Sequence, residues 1–368
     1  MKNTFGQSVL TTVFGESHGD AVGIVIDGFA PGITVDNDFI KYQLSKRRPS
    51  GKTDTPRKEN DNFQILSGVF NGKTTGTPIA IIVPNENTKS SDYNYGVARP
   101  SHADYTANAK YHGYEDYRGG GHFSGRVTAS LVAGGAIAIS ALKNLGINIG
   151  THILTCGEAN DMTFENTDSI EDTVLDLQKR MFPVISDEAE NKITSEILKA
   201  KENSDSIGGL VETAITGMPA GVGEPWFDSV ESILSHALFS IGGIKGVQFG
   251  LGTKFAEKTG SQANDAFYLE NGKIVTRTNN NGGVNGGITN GMPIVITSTV
   301  KPTPSIGKAQ ETVNFLTKEN TSLEIKGRHD PAIIRRICVV IDSVCALAIC
   351  DLLAQRYGTD VLLNGFNK

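Results

Sequence analysis

One compact α+β domain, with helices packed between or against antiparallel sheets, is the fold class this sequence predicts. Three observations carry it. Strand-like segments are numerous and do not alternate strictly with helices, as a doubly wound sheet would require. Two Ala/Gly-rich runs, near residues 124–145 and 331–356, are apolar on most faces and so belong in an interior. Segments of the first half also resemble segments of the second, in the same order.

Taken in turn, "VGIVIDGFAPGITVDNDFIKYQL" reads as an apolar strand, a Gly/Pro turn and a helix opened by Asp. "GLVETAITGMPAGVGEPWFDSVESIL" reads the same way. "TTGTPIAIIV" (74–83) and "TNGMPIVITS" (289–298) each set a tight turn before a buried strand. "RPSHADY" precedes the first Ala/Gly-rich helix and "RHDP" the second. Asp330 followed by Pro331 has the form of an N-cap with proline at N1, and Arg356 with Gly358 has the form of a helix end. The three matched elements predict an internal duplication, 1–155 and 207–368, within a single domain spanning 1–368. The acidic helical segment 156–206 is then an insertion between the repeats.

The charge pattern narrows the function. The 368 residues carry a net charge of −6, which disfavours nucleic acid as a partner. Residues 156–205 hold 13 Asp/Glu against 5 Lys/Arg, a balance of −8 that leaves about +2 for the remainder. Within that remainder "SKRRPSGKTDTPRK" concentrates Lys46, Arg47, Arg48, Lys52, Arg57 and Lys58. Such a run is either a solvated face or a trap for a small polyanion, since guanidinium forks suit phosphate and carboxylate. The longest apolar stretch, "ICVVIDSVCALAIC", carries Asp342 in its middle, which argues against a membrane span. The start "MKNTFGQSV" lacks a long apolar signal core. Cys156, Cys338, Cys345 and Cys350 show no C-x-x-C spacing and read as buried free thiols, so a reduced, cytoplasmic protein is expected.

Several familiar motifs fail on context. "GESHG" (15–19) matches the G-x-S-x-G elbow of serine esterases, yet a strand-like "DAVGIVIDG" follows it where the elbow needs a helix. "GGGHFSG" lacks dinucleotide-binding spacing and follows a polar segment. "NGKTTG" lacks the first phosphate-loop glycine, position 67 being serine, and the scattered histidines show no metal-ligand spacing. What remains is a set of His, Arg and Asp residues in Gly-rich loops: His18, His102 in "ARPSHADY", His122 in "GGGHFSGR", and Asp330 in "GRHDP". A histidine is the natural proton donor near neutral pH, and the carboxylate of an H-x-D pair can orient or deprotonate a partner. Each residue also has a plain reading, as a hydrogen-bonded loop histidine or, for Asp330, a helix cap.

Together, "FGESHGDAVGIVIDGFAPG", "RRPSG", "RPSHADYT", "YRGGGHFSGR", "NGGVNGGITNGMPI", "KPTPSI" and "GRHDPAIIRR" resemble the signatures of the chorismate synthase family, in order and over nearly the full length. The resemblance implies a sandwich of sheets around central helices, usually as a homotetramer. It also implies an enzyme of aromatic biosynthesis, a lyase that eliminates phosphate from 5-enolpyruvylshikimate 3-phosphate to give chorismate. Reduced FMN is required but not net consumed, with NADPH as a candidate reductant. By motif, His18 would donate a proton to the departing phosphate and His102 would serve reduced flavin near N1. Asp330 would assist proton removal at N5, which relays the substrate C6 proton. Ser17, Arg47, Arg48, Arg126 and Arg336 would hold substrate, with Ser17 and Ser124 as hydrogen-bonding groups. The flavin site would comprise His122, Phe123, Ser124, Gly242, Gly243, Gly286, the segment Lys301, Pro302, Thr303, Pro304 and Ser305, and Arg328. Three departures stand out: His122 and Phe123 replace the arginine and serine of many members, Lys46 begins what is more often a three-arginine run, and Asp342 replaces a glutamate. A non-catalytic flavin- or polyanion-binding protein on the same scaffold is the competing expectation.

Overall fold

A computed structural model describes residues 2–54, 60–86, 95–325 and 330–366. The chain opens with the strands β1 (Thr4–Phe5), β2 (Leu10–Gly15) and β3 (Ala21–Asp27). Along β3, Val22, Ile24 and Ile26 are fully buried, the period of two that one-sided packing demands. Helix α1 (Asn37–Arg47) follows, capped by Asp36, whose carboxylate accepts from the amides of Asp38 and Phe39. Next come β4 (Gln64–Ser67), the small hairpin β5 (Val69–Phe70) and β6 (Lys73–Thr74), and β7 (Ile79–Pro84). The first sheet is antiparallel, ordered β1-β2-β3-β7-β4.

Helices α2 (Asp104–Tyr111) and α3 (Thr128–Asn144) lead to β8 (Asn148–Cys156) and β9 (Ala159–Asn160). The acidic segment supplies α4 (Ile170–Leu177) and α5 (Asp187–Glu202) before β10 (Gly209–Thr216) and α6 (Val230–Phe239). Strand β11 (Ile244–Phe249) and the turn α7 (Gly260–Ala263) precede the pairs β12 (Phe267–Glu270) with β13 (Lys273–Thr276) and β14 (Val284–Asn285) with β15 (Ile288–Thr289). The chain closes with β16 (Ile294–Val300), the hairpin β17 (Gln310–Asn314) and β18 (Glu319–Leu323), the long α8 (Ile334–Tyr357) and α9 (Val361–Asn364). The second sheet, also antiparallel, is ordered β11-β16-β10-β8-β9. The strands of the two similar segments thus pair alike, β3 with β7 and β10 with β16.

Helix α3 packs on β3 and β7, α8 packs on β8 and β10, and the two helices pack on each other with α1 against both. The sheets therefore sandwich central helices. Close approach explains why α3 tolerates Gly134 and Gly135, each costing about 1 kcal/mol of helix stability. A Cβ at Gly135 would lie 2.3 Å from the Ser343 Cβ of α8, and one at Gly134 would lie 2.8 Å from Ile24. By length and composition α3 with the turn before it, and α8, are apolar enough to cross a membrane. The relevant window of α8 is 94% buried inside this fold. Asp342 faces β8 there, accepting from Thr151 Oγ1 at 2.6 Å; burial pushes its carboxyl up to about 6 against the pull of Thr151, Lys46 and Lys143.

Two expected caps move. Ser229, not an aspartate, caps α6 by accepting from the Ser232 amide. Asp330 does not cap α8, which begins at Ile334, because the Pro331 carbonyl is held by the Ile207 amide at 2.8 Å and the Asp330 carboxylate pairs with Arg336. The far end is as expected, with Gly358 at φ 81° after Arg356. The four cysteines are free and buried, and burial pushes the Cys156 thiol up to about 12.

Two buried polar clusters tie distant segments together. Asp351, itself fully buried in α8, accepts from the amides of Gln7 (3.0 and 3.1 Å), Ser8 (2.7 Å) and Val9 (2.8 Å). His152 of β8 lies fully buried between Glu212 Oε2, 3.2 Å from Nε2, and Asp161 Oδ2, 3.4 Å from Nδ1. The Asp161 contact is long and poorly aligned for a hydrogen bond. Burial alone would lower the imidazole; the two carboxylates outweigh it and hold His152 above its usual value.

Candidate active site

The loop "RGGGHF" is built on backbone that only glycine adopts readily. Gly119, Gly120 and Gly121 stand at φ 61°, 85° and 54°. Space is as decisive as angle. A Cβ at Gly119 would lie 2.2 Å from Cε1 and Nδ1 of His18 and 2.8 Å from Ser17 Oγ. At Gly120 it would lie 3.2 Å from His102 Cε1 and 3.4 Å from Nε2. At Gly121 it would strike the Asp116 carbonyl oxygen at 1.9 Å. The Ser17 amide donates to the Gly121 carbonyl at 3.0 Å, so GESHG and the triple glycine form one unit with a histidine on either side. Gly119→Ala is expected to fold, with about 1–2 kcal/mol of backbone strain, but to push the His18 ring aside. Turnover then falls at least tenfold with circular dichroism unchanged; wild-type turnover would show that the ring's place is unimportant.

His102 is set by the turn before α2. Its Nδ1 lies 2.8 Å from Asp104 Oδ1. Asp104 also accepts from Arg99 Nε (2.8 Å), Nη2 (2.7 Å) and the Arg99 amide (2.9 Å). Burial alone would raise the Asp104 carboxyl; the Arg99 and His102 hydrogen bonds and charges outweigh it and hold it well below the usual carboxylate range. Ser101, in the left-handed region at φ 59°, directs its carbonyl to Lys301 Nζ at 2.7 Å.

These groups border one cavity of about 2070 Å³. It is lined by His102, His122, Phe123, Ser124, Gly242, Gly243, the whole 301–305 segment, Asp330, Arg336, Arg47 and Arg126 among the expected residues. The pieces are stitched together: Lys301 N–H donates to the Gly243 carbonyl at 2.9 Å, and Thr303 Oγ1 to the Asp330 carbonyl at 2.6 Å. Burial, then the neighbouring Lys245 charge, depress the Lys301 ammonium. His122 donates from Nδ1 to the Gly15 carbonyl at 2.8 Å, which ties its ring to the GESHG strand. Ser17 and His18 stand behind the Gly119 backbone, and Arg48 and Gly286 lie off the lining, Gly286 in the turn between β14 and β15. Asp342 is likewise off the lining, so the missing methylene is felt in the core. Arg328 lies outside the described residues.

The arginines are not simply open to an anion. Asp61, whose side chain is fully buried, pairs with Arg47 at 3.1 Å and closely with Arg126, with Arg48 Nε 3.9 Å away. Arg47 also donates to Thr128 Oγ1 and the Gly125 carbonyl, both at 3.0 Å. Arg126 also donates to Asn85 Oδ1 (2.8 Å) and the Pro84 carbonyl (2.9 Å). Asp61 is thus shared among three guanidinium groups, two of which, Arg47 and Arg126, line the cavity. Asp61 escaped the sequence reading because its partners lie 14 and 65 positions away. Arg99 and Asp104 were in plain sight in "ARPSHADY", where an arginine ahead of an H-x-D spacing is the usable signal.

Comparison with known proteins is consistent over nearly the whole chain. A family model described as chorismate synthase matches residues 9–354. The chorismate synthase of Methanococcoides burtonii is 44% identical over 355 residues, 95% of each chain. That of Lachnoclostridium phytofermentans is 44% identical over 359 residues, again 95% of each, and that of Pyrococcus abyssi 43% over 355 residues, 95% of this chain and 97% of the other. A crystal structure of chorismate synthase superposes with a TM-score of 0.75 at 27% identity, covering 96% of this chain and 94% of that one. With this cavity, this sandwich and these relatives, the chain belongs to the chorismate synthase family.

Proposed function

We propose that this chain is a lyase that converts 5-enolpyruvylshikimate 3-phosphate to chorismate by an anti-1,4-elimination requiring reduced FMN. The C3–O bond breaks to release phosphate, a C6–H bond breaks, and the second ring double bond forms. Reduced FMN, when bound, supplies transient electron chemistry that lets the C–O bond break without net redox change. The residues fit such a group. An apolar wall of Leu131, Ile241, Val340 and Val344 adjoins Lys301 and Lys245, and a Cβ at Gly242 or Gly125 would protrude into open space. The volume exceeds the roughly 300–1,000 Å³ of an ordinary small-molecule pocket, which supports two ligands side by side.

The observation that carries the reading is the pair of histidines flanking the triple glycine beside this cavity. His18 delivers a proton to the departing phosphate, while the Arg47 and Arg126 guanidinium groups on the cavity lining favour its developing charge. His102, on the cavity lining, would hydrogen-bond the flavin when it is bound, and Asp330 would assist removal of the C6 proton. Ser17, Arg48 and Arg336 assist substrate binding, and His122, Phe123, Ser124 and the 301–305 segment hold the flavin. We further propose a cytoplasmic homotetramer, for which Phe227 (91% exposed), Trp226 (85%) and Leu269 (73%) offer apolar contact surface. Sedimentation at four times the 39.2 kDa chain mass is the expected result.

The deciding experiment is anaerobic. With substrate and chemically reduced FMN, phosphate and chorismate are expected to rise together and only with flavin. Phosphate alone would indicate a phosphatase, and flavin binding without product a non-catalytic scaffold. NADPH with oxidised FMN then tests whether the chain reduces its own flavin.

A further inference from the structure

We propose that Asp104, clamped by Arg99, is a positioning residue that fixes His102 as its Nδ1–H tautomer and so turns Nε2 toward the cavity. The inference deepens the reading above and rests on His102 belonging to the active site. Its geometry comes from the folded chain alone.

Asp104 Oδ1 and Oδ2 together accept four bonds, three from Arg99 and one from His102. A carboxylate gripped by a bidentate guanidinium is ionised and can only accept. The proton in the 2.8 Å contact therefore belongs to His102 Nδ1. Asp104 also opens α2, where the exposed amides of the first turn favour an anion. With Nδ1 committed, Nε2 is the ring nitrogen left for a ligand. It lies beside Gly120, where a Cβ would come within 3.4 Å. The neutral ring thus offers a lone pair at Nε2, and the protonated ring a donor at the same place. Arg99 neutralises Asp104 in turn, so the carboxylate orients the imidazole without becoming a base for substrate.

A purely structural role would have Asp104 only pin the turn, leaving the tautomer indifferent to it. The test is nitrogen NMR on the full protein labelled with ¹⁵N-histidine, the His102 signals assigned by their loss in His102→Gln. Above the ring's titration, wild-type His102 is expected to carry its proton on Nδ1. Asp104→Asn is expected to move it toward Nε2–H and to lower flavin-dependent turnover roughly 10²-fold, with Asp104→Glu recovering part of both. Arg99→Lys, which loosens the clamp without removing the carboxylate, should give a mixture of tautomers and serves if Asp104→Asn misfolds. Wild-type His102 protonated at Nε2 would overturn the proposal, as would an Asp104→Asn protein with the wild-type tautomer. Absence of turnover by the wild-type protein would instead sink the lyase reading and leave the tautomer result standing.

Discussion

His18→Ala is expected to lower turnover by about 10²–10⁴-fold, the range a positioned general acid contributes, while FMN binding stays close to wild type. The separation follows from place. His18 sits behind Gly119, whereas the flavin-facing groups proposed here, His122 through Ser124 and 301–305, line the cavity from other segments. Removing the imidazole takes away the proton donor and leaves those walls intact. Titration of FMN fluorescence alongside single-turnover phosphate release checks both halves. Lost flavin binding with normal turnover at saturating FMN would refute the assignment.

Glu212→Gln is expected to destabilise the fold by about 3–5 kcal/mol, the usual result of breaking one partner from a buried charged pair. Protonated His152 is then left with one facing carboxylate, Asp161, in place of two, and the oxygen that accepts from the Phe164 amide at 2.7 Å loses its charge. The effect depends on pH with a definite sign. His152 is held above its usual value, so its protonated form contributes full stability below about pH 6.5 and loses it as pH rises through the folded value. Urea midpoints should fall with rising pH above 6.5 in the wild type and more shallowly in His152→Gln. A midpoint independent of the residue across that window would show the imidazole to be neutral in the fold.

The sequence made elements legible wherever the signal was local. Alternating Val22, Ile24 and Ile26, the Gly/Pro turns before β7 and β16, and the unbroken apolar runs of α3 and α8 each specify an element within a dozen residues. Most expected flavin contacts also gather on one cavity because their loops flank those elements. What stayed hidden was set by distance along the chain. Asp61 competing for Arg47 and Arg126, and Arg336 drawing Asp330 from its cap position, are tertiary pairings that no local propensity records. The strand order of the sheets and the packing of His18 against Gly119 belong to the same class.

The hold of Asp351 on the amides of Gln7, Ser8 and Val9 sets a clock on biosynthesis. The first sheet receives its N-terminal anchor from a residue up to 344 positions later. At roughly 5–20 residues per second, that carboxylate leaves the ribosome well over ten seconds after the segment it must grip. Until then the three amides just ahead of β2 have only water, or a chaperone, as partner. The segment between β1 and β2 therefore waits unanchored, and trimming the C-terminal helix before Asp351 should expose the N-terminus to protease first.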